Sequence, residues 1–116
     1  MIMTAYKALS TEKMGLNITP GTIFKMKIEG IDIPIKIQAS LVGMVKNEYI
    51  LITHPTPFAT TKPKLYAGNG IIAQYQDGSD ICVFGVKIMD AIMKPIRVVV
   101  LEYPDKIIRR KIRPET

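Results

Sequence analysis

The sequence predicts a mainly β fold, a small antiparallel split β-barrel of about six or seven strands. Apolar and polar residues alternate with a period of two through most of the chain, and β-branched residues dominate the alternating runs. Turn residues recur at short intervals, and scarcely any stretch has a helical period. Runs of this kind each bury one face, and turns fold them back on one another as a barrel or sandwich.

The elements follow in order. Thr22–Ile28 comes directly after Thr19-Pro20-Gly21 and places Phe24, Met26 and Ile28 on one face, Lys25 and Lys27 on the other. Glu29-Gly30-Ile31-Asp32 supplies a turn. Ile33–Ala39 alternates next, with Pro34 expected at an edge or at the start of its strand because proline has no N–H for a ladder. Leu41 and Val42 extend that run. Glu48–Thr53, Gly70–Tyr75, Ile81–Met89 and Ile96–Tyr103 complete the set, separated by Asn69-Gly70, Asp77-Gly78 and proline-bearing stretches. Tyr75-Gln76-Asp77-Gly78-Ser79-Asp80 marks a hairpin that lays Ile71–Tyr75 beside Ile81–Phe84. Gly85 interrupts the longest run and is expected to mark a bulge or a barrel corner. The chain then divides into an N-terminal arm over residues 1–14, helical, disordered or added as an edge strand, a barrel over 15–104 and a basic linker over 105–116.

A chain of 116 residues makes one domain and buries roughly two-thirds of the surface of its unfolded form. Sixteen Lys and Arg against ten Asp and Glu leave a net charge of +6, which favours encounter with phosphate-bearing or acidic partners. Much of the excess sits in Lys106, Arg109, Arg110, Lys111 and Arg113. No apolar stretch approaches a membrane-spanning length and the first residues lack an export pattern, so a cytoplasmic location is expected.

The catalytic inventory is poor. Cys82 is the only cysteine and lies in the apolar run Ile81-Cys82-Val83-Phe84, which reads as a buried small hydrophobe and excludes an intrachain disulfide. His54 is the only histidine and ends a strand at Thr53-His54-Pro55-Thr56-Pro57, with no second ligand at metal-binding spacing. Glu12, Glu29, Asp32, Glu48, Asp77, Asp80 and Asp90 fall in turns, at strand ends or at alternating polar positions, and read as surface polar groups. There is no glycine-rich phosphate loop ahead of a helix. These readings point to a protein that is not an enzyme, with no catalytic residue, no metal and no cofactor. The loop from His54 to Tyr66 carries Pro55, Pro57 and Pro63 with Lys62 and Lys64, and Phe58 within it is expected to fold back onto the barrel.

The C-terminal stretch Tyr103-Pro104-Asp105-Lys106-Ile107-Ile108-Arg109-Arg110-Lys111-Ile112-Arg113-Pro114 is the most distinctive. Arginine presents a planar fork of donors suited to phosphate oxygens or a guanine edge. The spacing of Arg109 and Arg113 lets both forks point the same way in an extended chain or lie on one helix face. An anionic ligand is one reading, and a solubilising tail the other. A small nucleic-acid-binding barrel using these basic groups with Tyr49, Tyr66 and Tyr75 is the alternative.

The order of features from Met14 to Arg113 resembles the N-terminal domain of YcgR-type flagellar brake proteins, the PilZN-like domain that precedes a PilZ domain. Leu16 and Gly21 before the first strand, the run through Leu41 and Gly43, Ile50–Pro55, Gly70-Ile71-Ile72-Ala73, Cys82-Val83-Phe84 and Leu101-Glu102-Tyr103-Pro104-Asp105-Lys106-Ile107 carry the likeness. The family crosses to an arginine-rich linker whose Arg-x-x-x-Arg motif binds cyclic di-GMP. The resemblance thus implies Arg109 and Arg113 as ligand residues with Arg110 as an additional contact, although Ile108 stands here where many members have a further arginine. It also implies a regulatory role. The partners would be a PilZ domain in cis or in trans, flagellar motor proteins or a second copy of the chain, and cyclic di-GMP would bind only when a PilZ domain adds its Asp/Asn-x-Ser-x-x-Gly half.

Overall fold

Seven antiparallel strands appear in the computed structural model, which describes Leu16 and residues 18–111. The arm over 1–14 and Arg113 lie outside the described residues. The strands are β1 (Ile23–Ile28), β2 (Ile37–Val45), β3 (Tyr49–Thr53), β4 (Gly70–Asp77), β5 (Asp80–Ile92), β6 (Val98–Glu102) and β7 (Ile108–Lys111). A short helix, α1 (Phe58–Thr61), runs into a 3₁₀ turn at Lys62–Lys64 between β3 and β4. The ladder β4-β1-β2-β3-β6-β5 closes by pairing of β4 with β5, so six strands form a closed barrel and β7 is an extra strand on β5.

Alternation decides which face of each strand turns inward. In β1 the odd positions Ile23, Lys25 and Lys27 are exposed while Phe24, Met26 and Ile28 are buried. The interior continues through Ile37, Ala39 and Leu41 of β2, Ile50 and Ile52 of β3, Ile71, Ala73 and Tyr75 of β4, Cys82, Phe84, Val86 and Ile88 of β5, and Val99 and Leu101 of β6. Phe24 is its aromatic centre. Its ring meets Tyr75 at 5.8 Å and Phe84 at 5.9 Å, both edge to face, the arrangement that ring quadrupoles favour.

The predicted hairpin is present: β4 and β5 pair from Gly70↔Lys87 to Asp77↔Asp80, with Gly78 and Ser79 as a two-residue loop. Gly78 takes a φ of +65°, which glycine adopts without the steric cost other residues meet. In the β2–β3 turn Asn47 has the same φ of 65°, and the Glu48 N–H closes the turn on the Val45 carbonyl at 2.9 Å.

Three local expectations are corrected. Ile33–Lys36 does not belong to a strand; β2 starts at Ile37, and Ile33 and Ile35 are exposed. Pro34 removes a ladder donor in the middle of that segment, so its alternation finds no partner strand. Of the two readings of Gly85, a bulge or a barrel corner, the bulge is overturned, because Gly85 stays in register opposite Ile72. The irregularity in β5 lies between Ile88 and Asp90, and a second one lies in β2 between Leu41 and Gly43. Finally, Ile108–Lys111, in the segment read as linker, forms β7 against Asp80–Val83.

β6 and β7 lie end to end along one edge of β5, with Ile88↔Leu101 as the last β6 pair and Val83↔Ile108 as the first β7 pair. Between them the chain leaves the ladder over Tyr103–Ile107, and the Glu102 carboxylate accepts the Lys87 N–H at 2.9 Å in place of a backbone carbonyl. The β3–β4 connection is tied down by Asn69. Its buried side chain donates to the Glu29 carbonyl at 3.0 Å and to the Lys64 carbonyl at 2.8 Å.

Two stability changes follow. Phe24→Ala empties the aromatic centre and is expected to cost about 3–5 kcal/mol in denaturant unfolding. Asn69→Ala strands two carbonyls and is expected to cost about 1–3 kcal/mol, with the faster amide exchange confined to the Tyr66–Gly70 connection.

Candidate functional site

The β4–β5 hairpin and β7 place six side chains in two rows. Directly opposed residues of an antiparallel ladder share a face. Tyr75, Cys82 and Arg109 are opposed across β4, β5 and β7, and Asp77, Asp80 and Lys111 form the next row toward the hairpin turn. Tyr75 and Cys82 are in the core, so Arg109 projects on the core face at the rim of the barrel. Arg110, the next residue, falls on the opposite face and is exposed.

Arg109 is fastened to the row below it. Nη1 donates to Asp80 Oδ2 at 2.8 Å and to Asp77 Oδ2 at 3.1 Å, and Nη2 donates to the same Asp77 oxygen at 3.1 Å. Side-chain exposure is 21% for Arg109, 29% for Asp77 and 18% for Asp80, so water reaches the cluster only in part. Lys111 adds a looser contact to Asp80 Oδ1 at 3.5 Å from a largely solvated ammonium. Two carboxylates therefore face two cations. The hydrogen bond from Arg109 holds the Asp80 carboxyl below the usual carboxylate range, against the effect of burial, and Lys111 adds to the lowering. The same hydrogen bond, accepted by Asp80, is the largest cause that raises the Arg109 guanidinium further above its already high value.

The neighbouring polar atoms are chemically quiet. Burial pushes the Tyr75 phenol well above its ordinary value, with Cys82 adding to the rise, and burial likewise raises the Cys82 thiol. A thiol that stays protonated in the core is a weak nucleophile. His54 is buried and stands away from this cluster, its Nε2 donating to the Ile92 carbonyl at 3.2 Å. Phe58 folds back over it with ring centroids 5.4 Å apart, and the Arg97 guanidinium covers the Phe58 ring at 4.7 Å. Tyr75, one of three tyrosines in the nucleic-acid reading, is a core residue, whereas Tyr66 is exposed. The stacking platform that reading needs is not assembled from these three rings.

Of the three predicted ligand residues, Arg109 and Arg110 are on β7 on opposite faces, and Arg113 lies outside the described residues. Asp77 and Asp80 are the residues sequence reasoning missed as part of this site. Their place in a hairpin turn was legible, but their common partner is visible only once Ile108–Lys111 is seen as a strand.

The ion pairs make the docking of β7 pH-dependent. A carboxyl depressed in the folded state contributes stability above the ordinary carboxylate range and loses it as pH falls through the folded value. Amide protection of β7 is thus expected to hold at neutral pH and to fall on acidification below the usual carboxylate range. In Asp80→Asn that acid-dependent step should shrink, and an unchanged acid profile by hydrogen exchange would contradict the assignment.

Comparison with known proteins places the fold. No curated protein matches the chain. Among solved structures it resembles the Bacillus subtilis inhibitor of motility, MotI/DgrA, with a TM-score of 0.66 and 16% sequence identity over 85% of this chain. The likeness takes in 49% of that protein, so the chain spans about half its length. Residues 19–104, the barrel from the turn before β1 to the end of β6 and just beyond, match the family model PilZNR, described as flagellar protein YcgR. With most of its length matched, the chain belongs to the PilZNR family of the flagellar protein YcgR, as a non-catalytic β-barrel domain.

Proposed function

We propose that this chain is the contact-bearing N-terminal half of a two-domain, cyclic di-GMP-responsive regulator of flagellar motility that acts in the cytoplasm. Arg109, Arg110 and Arg113 supply the arginine half of a nucleotide site, and a PilZ domain in cis or in trans supplies the other half. The observation that carries this reading is the position of β7. The arginines begin on a strand that follows the matched barrel directly and is hydrogen-bonded to β5 at Asp80–Val83. A ligand held there is coupled to the barrel through a backbone ladder.

The chemistry suits the ligand. Cyclic di-GMP is a dianion whose guanines offer O6 and N7 acceptors, and each bidentate arginine contact is worth about 1–3 kcal/mol of discrimination. Binding at the strand changes how a following domain packs, so the barrel acts as a body that is repositioned, with a motor component as the partner it contacts. The outer face of the barrel near β7 has apolar surface for such contacts: Ile72 and Ile108 are more than half exposed, at 53% and 57%.

An isolated half-site binds weakly, because the remaining residues must be ordered around the anion without the other contacts. Calorimetric titration of this chain with cyclic di-GMP is expected to show little binding at physiological salt, with residual attraction falling as salt rises. Joined to a PilZ domain, Arg109→Ala and Arg113→Ala should each lower affinity by roughly tenfold to a hundredfold, and Lys62→Ala by far less. Equal effects of all three substitutions would remove the arginines from the site.

A further inference from the structure

We infer that Asp77 and Asp80 gate the arginine half-site: the hairpin carboxylates compete with the anionic ligand for Arg109, and capture of the ligand withdraws β7 from β5. This inference rests on the nucleotide reading of Arg109 given above. A guanidinium has five N–H donors, and three hydrogen bonds to Asp77 and Asp80 are already in place. A phosphate or guanine acceptor approaching the remaining donors meets two carboxylate charges in a partly desolvated cluster. Among the described residues, the ion-paired set of Asp77, Asp80, Arg109 and Lys111 is balanced in charge. Ligand capture by the whole guanidinium fork therefore competes with the carboxylates, and where it displaces them the apparent affinity is the intrinsic one scaled by the fraction of open molecules.

The same contacts hold the strand. β7 has four residues, of which Ile108, Arg110 and Lys111 are exposed, so Arg109 is its one half-buried side chain. The Lys87 N–H points toward the edge shared by β6 and β7, and by alternation the N–H groups of Ile81 and Val83 point toward β7. Departure of Arg109 frees these groups and opens the Asp80–Val83 edge of β5. Asp77 and Asp80 are positioning residues in this scheme and do not touch the ligand.

The test compares the unmodified chain with D77N/D80N, each joined to a PilZ domain so that the nucleotide site is complete, by amide hydrogen exchange and by cyclic di-GMP titration followed by NMR. In the double variant the amides of Ile81, Val83, Ile108 and Arg110, the residues of the hydrogen-bonded β5–β7 pairs, are expected to exchange at least about tenfold faster, with β1–β3 unchanged. Cyclic di-GMP is expected to bind about tenfold more tightly, and saturating nucleotide should lower β7 protection in the unmodified form joined to the PilZ domain. Asp77→Asn alone keeps the 2.8 Å contact to Asp80 and should fall between the two, which guards against misfolding of the double variant. Unchanged β7 exchange in both variants overturns the gate, as does affinity that is unchanged or weaker. Tighter binding with β7 still protected at saturation overturns the withdrawal step and leaves simple charge repulsion. If β7 exchange rises as expected but neither form binds cyclic di-GMP, the nucleotide reading fails and the carboxylate hold on β7 stands.

Discussion

β5 is thirteen residues long and carries three partners, and the closure of the barrel depends on it. Its first half pairs with β4 on one edge and β7 on the other, and its second half pairs with β6. A sheet can close only if some strand bends from one side of the barrel to the other while keeping its apolar face inward. The extra residue between Ile88 and Asp90 meets that demand, because a bulge increases local twist and lets the strand turn after Ile88 without sending Ile88 itself out of the core. Asn69 supports the same corner: its carbonyl accepts the Ile88 N–H at 2.8 Å, and the neighbouring Gly68 N–H donates to the Ile88 carbonyl at 2.8 Å.

The candidate site is a by-product of that arrangement. Where β6 stops, the β5 edge would be left with unpaired backbone, a template for indiscriminate strand pairing. β7 covers part of it. Its side chains are polar enough that core burial alone does not hold them, and the ion pairs from Arg109 to the hairpin carboxylates add a specific anchor at the rim. Charged pairs that retain some water contribute modestly and are easily replaced by a better partner. That anchor distinguishes β7 from β1 to β6, which are held by buried aliphatic and aromatic groups.

Much of the fold was legible because a half-buried strand writes its burial into the sequence every second residue. Phe24, Met26 and Ile28 against Lys25 and Lys27 left no doubt about face, and Asp77-Gly78 between apolar runs identified the hairpin. The failures share a cause. Ile33–Lys36 has the alternation of a strand but lacks a partner, and Pro34 cannot donate to one. Ile108–Lys111 is paired but lacks the apolar alternation, since its inward residue is an arginine. Periodicity reports burial of hydrocarbon, so it overlooks a strand whose inward group is charged.

The amino-acid sequence by itself determined the class of fold, the inward face of most strands, the β4–β5 hairpin, the inert setting of Cys82 and the cluster of arginines at the end of the barrel. Each of these follows from local properties, namely the two-residue period of a strand, turn stereochemistry and composition. Tertiary structure alone decided the closure between β4 and β5, the bulge beyond Ile88, and the meeting of Arg109 with Asp77 and Asp80 across 32 and 29 residues of chain. These depend on register between strands distant in sequence, and register is set by how all six strands share one core.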